Sequence, residues 1–236
     1  MSDFYMGIIK KRREGKTDGT GHDMISALME QSYKGGRDIN DREIAHMMIA
    51  LLMAGQHTSS ATGSWAMLRL ASRPEIIEEL YEEQVRVYSD GAGGFAPLDY
   101  DTQKSSVPVL DAVIRETLRM HPPIHSLMRR VKSDMVVPPT LAAPKTGKGQ
   151  GKDTYVIPKG HYLVAAPGVS QIDPHVWSDA DKFDPHRWLG DKALMEQTDD
   201  AQEDFGWGLV STGANSAYLP FGAGRHRCIG EQFAYL

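Results

Sequence analysis

Pro220-Phe221-Gly222-Ala223-Gly224-Arg225-His226-Arg227-Cys228-Ile229-Gly230 decides how the chain is read, because it holds the only cysteine among 236 residues. The cysteine follows a glycine-rich turn and stands where a helix opens, from Ile229 onward. N–H groups at a helix N-terminus and neighbouring arginines both stabilise a thiolate. Gly222 and Gly224 let the backbone adopt conformations that lie flat against something large. A soft anionic ligand offered to a broad planar group points to haem iron held by cysteine. Two plainer readings stand beside this one: a small buried hydrophobe, and an ordinary turn before a helix. A phosphate cradle does not fit, since the stretch contains neither G-x-x-x-x-G-K-[ST] nor G-x-G-x-x-G.

Upstream, Asn40-x-x-Glu43 forms a capping box. From Ile44 to Gly55 only His46 is polar. A helix apolar all round is buried in a large protein or in a membrane, and Gln56 to Ser60 interrupts the run too early for a span. The expectation is a core helix from Asp41 to about Ser72, ended by Arg73-Pro74. Within it, Ala54-Gly55-Gln56-His57-Thr58 lets a bulky group approach the backbone. The Thr58 hydroxyl can bond a carbonyl one turn back and loosen the helix. A plain helix-packing notch explains the same residues.

Further helices are expected at Ser2–Glu14, Met24–Tyr33, Glu75–Tyr88 and Val109–Met120. The last carries Glu116-x-x-Arg119, whose spacing puts both side chains on one face. Taken alone, it is a pair worth about 0.3–0.5 kcal/mol on a surface. His121 and His125 do not form a metal pair, because Pro122 and Pro123 exclude a helix carrying both. Met135–Val137, Tyr155–Ile157 and His161–Ala166 read as strands, with Pro158-Lys159-Gly160 as a turn. Ser89–Tyr100 and the Lys/Gly-rich Ala142–Lys152 read as loops, as does the long Ala193–Ser216.

Apolar content of 41% and charged content of 24% are globular values. A net charge of −5 gives no sign of a nucleic-acid partner, and Lys10-Lys11-Arg12-Arg13 reads as a solvated helix face. One cysteine excludes an internal disulfide and fits a reducing compartment. Residues 1–30 lack the apolar core of a signal peptide. There is no internal repeat and no domain linker.

Four motifs appear in order: Ala54-Gly55-Gln56-His57-Thr58, Glu116-Thr117-Leu118-Arg119, Phe183-Asp184-Pro185-His186-Arg187-Trp188 and the cysteine stretch. Together they resemble the cytochrome P-450 superfamily, the haem-thiolate monooxygenases. In the family pattern F-x-x-G-x-R-x-C-x-G, the slots fall on Phe221, Gly224, His226, Cys228 and Gly230. Histidine replaces the usual arginine at 226 and the usual acid at 57. With His125-Ser126-Leu127-Met128-Arg129-Arg130, these departures are similar to the fungal-type sterol 14α-demethylase branch.

The resemblance implies a mainly α fold with small β-sheets, covered by residues 1–236 in part. The membrane anchor, the N-terminal β-rich lobe and the last strands of a member would lie outside. It implies haem b, with Cys228 as axial iron ligand in a loop containing Phe221, Gly222 and Gly224. Arg129 and His226 would hold haem propionates. Glu116, Arg119 and Arg187 would form a buried structural triad beneath the haem. Thr58 would help deliver protons during oxygen activation, with His57 as relay or as gate. Ala54, Gly55, His125, Ser126, Leu127 and Met128 would touch a sterol. The implied activity removes the 14α-methyl group of lanosterol-type sterols by successive oxygenations in ergosterol-type biosynthesis. It would use dioxygen and an NADPH-dependent flavoprotein reductase, at the cytoplasmic face of the endoplasmic reticulum membrane. A haem-thiolate hydroxylase of another lipid or a xenobiotic is the alternative, as is a non-catalytic or inactive fragment.

Overall fold

A computed structural model describes residues 1–16, 23–137, 155–189, 202–204, 209–211, 217–223 and 227–235. The chain forms two compact units, residues 1–63 and 64–236. The boundary falls inside a long helix that contributes to both.

In the first unit, α1 (Ser2–Arg13) and α2 (Met24–Met29) precede α3 (Asp41–Leu70). Asp23 caps α2 by accepting the Ser26 N–H at 2.9 Å, and Arg12 from α1 clamps the same carboxylate. The capping box forms in both directions. Glu43 N–H donates to Asn40 Oδ1, and Asn40 N–H donates to Glu43 Oε2, each at 3.0 Å. Ile9, Ile25, Ile44 and Ala45 make the core of this unit. Helix α2 ends at Met29, short of the expected Tyr33, because Ser32 instead pairs with Asp38 across a turn.

Helix α3 ends two residues before the expected Ser72. Its burial differs from expectation. Ile44 and Ala45 are buried, whereas Leu52, Met53, Met67 and Leu68 are exposed. Its described apolar neighbours meet its first turns and its last residue, Leu70. The apolar middle turns therefore face outward. Among the described residues no helix is long and apolar enough to cross a membrane.

The second unit contains α4 (Pro74–Tyr88), α5 (Tyr100–Ser106) and α6 (Pro108–Met120). Pro at the first position of α4 and α6 supplies a helical φ and lacks an N–H that would go unpaired. Ile76, Val113 and Phe183 form a core joined by Leu70, Leu80 and Met120. Glu83, on α4, is buried and accepts the Val109 and Leu110 N–H groups at 2.8 and 2.9 Å. It thus satisfies the start of α6 with a negative charge where the helix dipole favours one. Helix α5 was not expected, since Tyr-Asp-Thr-Gln-Lys-Ser-Ser has no apolar period. Asp99 starts it by accepting the Thr102 N–H at 3.0 Å.

Three two-stranded antiparallel sheets are described. β1 (Leu127–Arg130) pairs with β4 (Tyr162–Ala165), and β2 (Met135–Val137) with β3 (Tyr155–Ile157). β5 (Gln202–Asp204) pairs with β6 (Leu209–Ser211). That hairpin lies inside the segment expected to be all loop, where three-residue strands are too short to show alternation. The expected loop at 142–152 lies outside the described residues. A short helix α7 (Pro167–Ser170), a 3-10 turn (Pro185–Trp188) and α8 (Glu231–Ala234) complete the unit. The mainly α architecture with small sheets matches the expectation.

Candidate functional site

The cysteine loop is held by its own backbone. Cys228 N–H donates to the Phe221 carbonyl at 2.9 Å, and Gly222 N–H donates to the Leu219 carbonyl at 3.2 Å. The Phe221 ring packs against Tyr235 with centroids 5.5 Å apart. Gly222 sits at φ +73°, and no heavy atom lies within 4 Å of where a Cβ would stand. Any other residue there would be strained by its backbone rather than by crowding. The Cys228 thiol is free and exposed. Gly230 lies beside it, with its would-be Cβ 3.8 Å from Sγ. Arg227 pairs with Glu231 in the first turn of α8. Gly224 and His226 lie outside the described residues.

These features fit haem. One accessible thiol stands next to glycine backbone with open space at Gly222. The described residues gather no three His, Cys, Asp or Glu groups into a metal cluster. A single thiolate suits haem iron, which brings its own equatorial nitrogens.

The second part of the site is a buried charge network. Glu116 and Arg119 are fully buried on α6. Arg119 Nε donates to Glu116 Oε2 and Nη2 to Oε1, both at 2.8 Å. Arg187 Nε reaches Glu116 Oε1 at 3.0 Å. The expected three residues are therefore together. Two donors join them that the sequence did not reveal: Trp188 Nε1 and the Asp184 N–H, each at 3.0 Å. Trp188 stood in the quoted motif, but nothing in a sequence pattern says where an indole N–H points. Arg119 also donates to the carbonyls of Gln171, Ala180 and Lys182 at 2.8, 2.9 and 3.1 Å. An ion pair out of water is tolerable only with such complete partnering.

Aromatic rings surround this network and lead to the cysteine loop. Trp177 lies 5.4 Å from the Arg119 guanidinium carbon. Trp188 and Tyr218 pack at 4.7 Å between centroids. Burial raises the Tyr218 pKa well above the phenol's ordinary value. At the end of α6, His121 Nε2 accepts from Arg69 Nε and Nη2 at 3.0 and 2.9 Å. Trp65 stacks on the His121 ring at 3.9 Å. Burial, then the charges of Arg69 and Arg119, lower the His121 pKa.

The remaining expected residues are placed as follows. Thr58 and His57 belong to the first unit, and Cys228 and the Glu116 network to the second. The Thr58 hydroxyl donates to the Ala54 carbonyl at 2.7 Å, the back-bond its spacing suggested. Ala54, Gly55 and His57 are exposed on α3. His125 and Ser126 are exposed just before β1. Gly168 packs so closely on His125 that a Cβ would lie 2.8 Å from the histidine's own. Arg129 is exposed on β1 and donates to the Met128 carbonyl at 3.0 Å. The pairing of β1 with β4 puts Leu127 and Arg129 on one face and Met128 on the other.

The family model described as Cytochrome P450 matches residues 1–236. A lanosterol 14-alpha demethylase of Mycosarcoma maydis is 66% identical, over all of this chain and 44% of its own length. An eburicol 14-alpha-demethylase of Uncinula necator is 52% identical, over 98% of this chain and 42% of its own. The chain spans less than half the length of these relatives. Among solved structures, the heme domain of cytochrome P450DA superposes with a TM-score of 0.73 at 24% identity. That match covers all of this chain and 44% of that domain, and it carries the fold alone.

Proposed function

The chain belongs to the cytochrome P450 family, whose cofactor is haem, and on that premise we propose that it serves the oxidative removal of the 14α-methyl group from a lanosterol-type sterol. The observation that carries the sterol reading is the 66% identity to a relative named for that reaction. The haem-thiolate chemistry rests on Cys228, exposed in a glycine-bordered loop.

When bound, haem with a thiolate ligand supplies activation of dioxygen, with electrons from an NADPH-dependent flavoprotein reductase, for three successive oxidations that release the methyl carbon as formate. The residues of this chain would set the stage. The Cys228 thiolate would ligate the iron. The backbone from Phe221 to Gly222 would lie along the cofactor, with no side chain at Gly222 to hold it off. Arg129 offers a guanidinium to a propionate, sharing a face of β1 with Leu127, which offers an apolar contact to sterol. Thr58 holds a proton on an oxygen that already bonds Ala54. Turning that hydroxyl away from the helix would free it to help deliver a proton during oxygen activation, while leaving the Ala54 carbonyl open.

The test is turnover by the full-length holoenzyme with reductase and NADPH. Lanosterol should yield formate and the demethylated sterol in equal amounts. Oxidation of a fatty acid or a drug with no sterol turnover would overturn the sterol reading. Cys228→Ser should bind haem without the thiolate-type ferrous–CO band, and retention of that band would overturn the ligand assignment.

A further inference from the structure

Gln171 follows α7 and is fully buried. Its carboxamide nitrogen donates to two successive carbonyls at the end of α6, Leu118 at 3.0 Å and Arg119 at 2.9 Å. Its Oε1 accepts the Leu219 N–H at 2.9 Å. Its own carbonyl accepts Arg119 Nη1 at 2.8 Å, and its N–H donates to Pro167 at 2.9 Å. No polar atom of the residue is idle. The task needs two N–H donors and one acceptor at the tip of a single side chain, and only a primary carboxamide provides that set. Asparagine is one methylene shorter.

The bond to Leu219 begins a continuous route. The Leu219 carbonyl accepts from Gly222, and the adjoining Phe221 carbonyl accepts from Cys228. We propose that Gln171 is a positioning residue, which fixes the entry of the cysteine loop to the end of the Glu116–Arg119 helix and so sets how the Cys228 thiolate meets haem iron. Its effect passes through Leu219 and the loop backbone. This rests on Cys228 being the iron ligand.

The experiment uses the haem-loaded full-length enzyme and reads the ferrous–CO difference spectrum. Gln171→Leu keeps the volume but leaves the Leu219 N–H and both carbonyls unpaired. It should retain haem and show a roughly five-fold rise in the ratio of non-thiolate to thiolate-ligated haem, the factor for one net hydrogen bond. Gln171→Glu adds a pH axis to the same readout. Its protonated form can donate one O–H and accept from Leu219. Its ionised form can only accept, and it faces two carbonyls. The thiolate-ligated fraction of this variant should therefore fall as pH rises, opposite to the titration of a thiol. Ile76→Ala, in the core between α4 and α6, should lower the melting temperature and leave that fraction unchanged.

A wild-type thiolate fraction in Gln171→Leu overturns the proposal. So does an equal loss in Ile76→Ala. Failure of both Gln171 variants to take up haem, while Ile76→Ala does, also overturns it, by making the residue's role one of folding. A wild-type enzyme without a thiolate-type band, or Cys228→Ser with one, removes instead the assignment of Cys228.

Discussion

Replacing Glu116 by alanine removes the acceptor of five N–H donors at once, from Arg119 twice and from Arg187, Trp188 and Asp184. Arg119 is left fully buried with only neutral carbonyls as partners. Removing one member of a buried ion pair costs about 3–5 kcal/mol. The unpaired Trp188 indole adds about 1–3 kcal/mol, and the Asp184 N–H, whose bond is only part-buried, adds less. The sum, about 4–8 kcal/mol, rivals the total stability of a folded domain, about 5–15 kcal/mol. At about 2–4 °C per kcal/mol the melting temperature should fall by about 10–30 °C. The assay pairs a melting curve with the haem-to-protein ratio of the purified full-length enzyme. Glu116→Gln keeps the volume but presents an NH₂ group to donors, so it should fall between alanine and wild type. A melting point within a few degrees of wild type, with a full complement of haem in Glu116→Ala, would refute the reasoning.

Two histidines should give stability opposite pH dependences. The His121 pKa is lowered by burial and by Arg69, so its contribution is complete above the ordinary value near 6.5 and lost as pH falls through the folded value. His121→Phe, which keeps a ring against Trp65, should flatten the acid limb of melting temperature against pH, and an unchanged limb would count against it. The His186 pKa is raised by its hydrogen bond to Glu79 at 2.8 Å. Its contribution is complete below about pH 6.5 and lost as pH rises through the raised value. His186→Ala should flatten the alkaline limb, weakly and less so at high salt, because the pair is half-exposed. Glu83→Ala should cost about 3 kcal/mol or more, since hydrogen bonds to a charged acceptor contribute about 1.5–3 kcal/mol each. Glu83→Gln should cost about half as much, and a melting point equal to wild type would show that its charge does not matter.

Local chemistry was readable where it lay within a few residues. Asn40 and Glu43 cap each other because three residues bring them into reach. Thr58 bonds Ala54 for the same reason. The grouping of Glu116, Arg119 and Arg187 was expected from resemblance, since nothing within the sequence ties residue 187 to a helix that ends at 120. The donors from Trp188 and Asp184, and the whole part played by Gln171, depend on the side-chain directions of a packed interior. Nothing in the sequence around Gln171 points to Leu219, 48 residues further on. Helix α3 shows the reverse difficulty. Its composition calls for burial, but composition does not say which segment supplies the cover.

The partners of Glu116 also impose an order in time. The Arg119 side chain is three residues away, but Asp184, Arg187 and Trp188 follow at separations of 68, 71 and 72 residues. At synthesis rates of about 5–20 residues per second, roughly 4–14 s pass between the emergence of the carboxylate and that of its last donor. During that interval α6 carries an ion pair that its own helix can form but cannot yet bury with full partnering. The interior around Glu116 therefore closes only after Trp188 has emerged. The ribosome and any chaperone beside it meet this helix with its charged pair still in water.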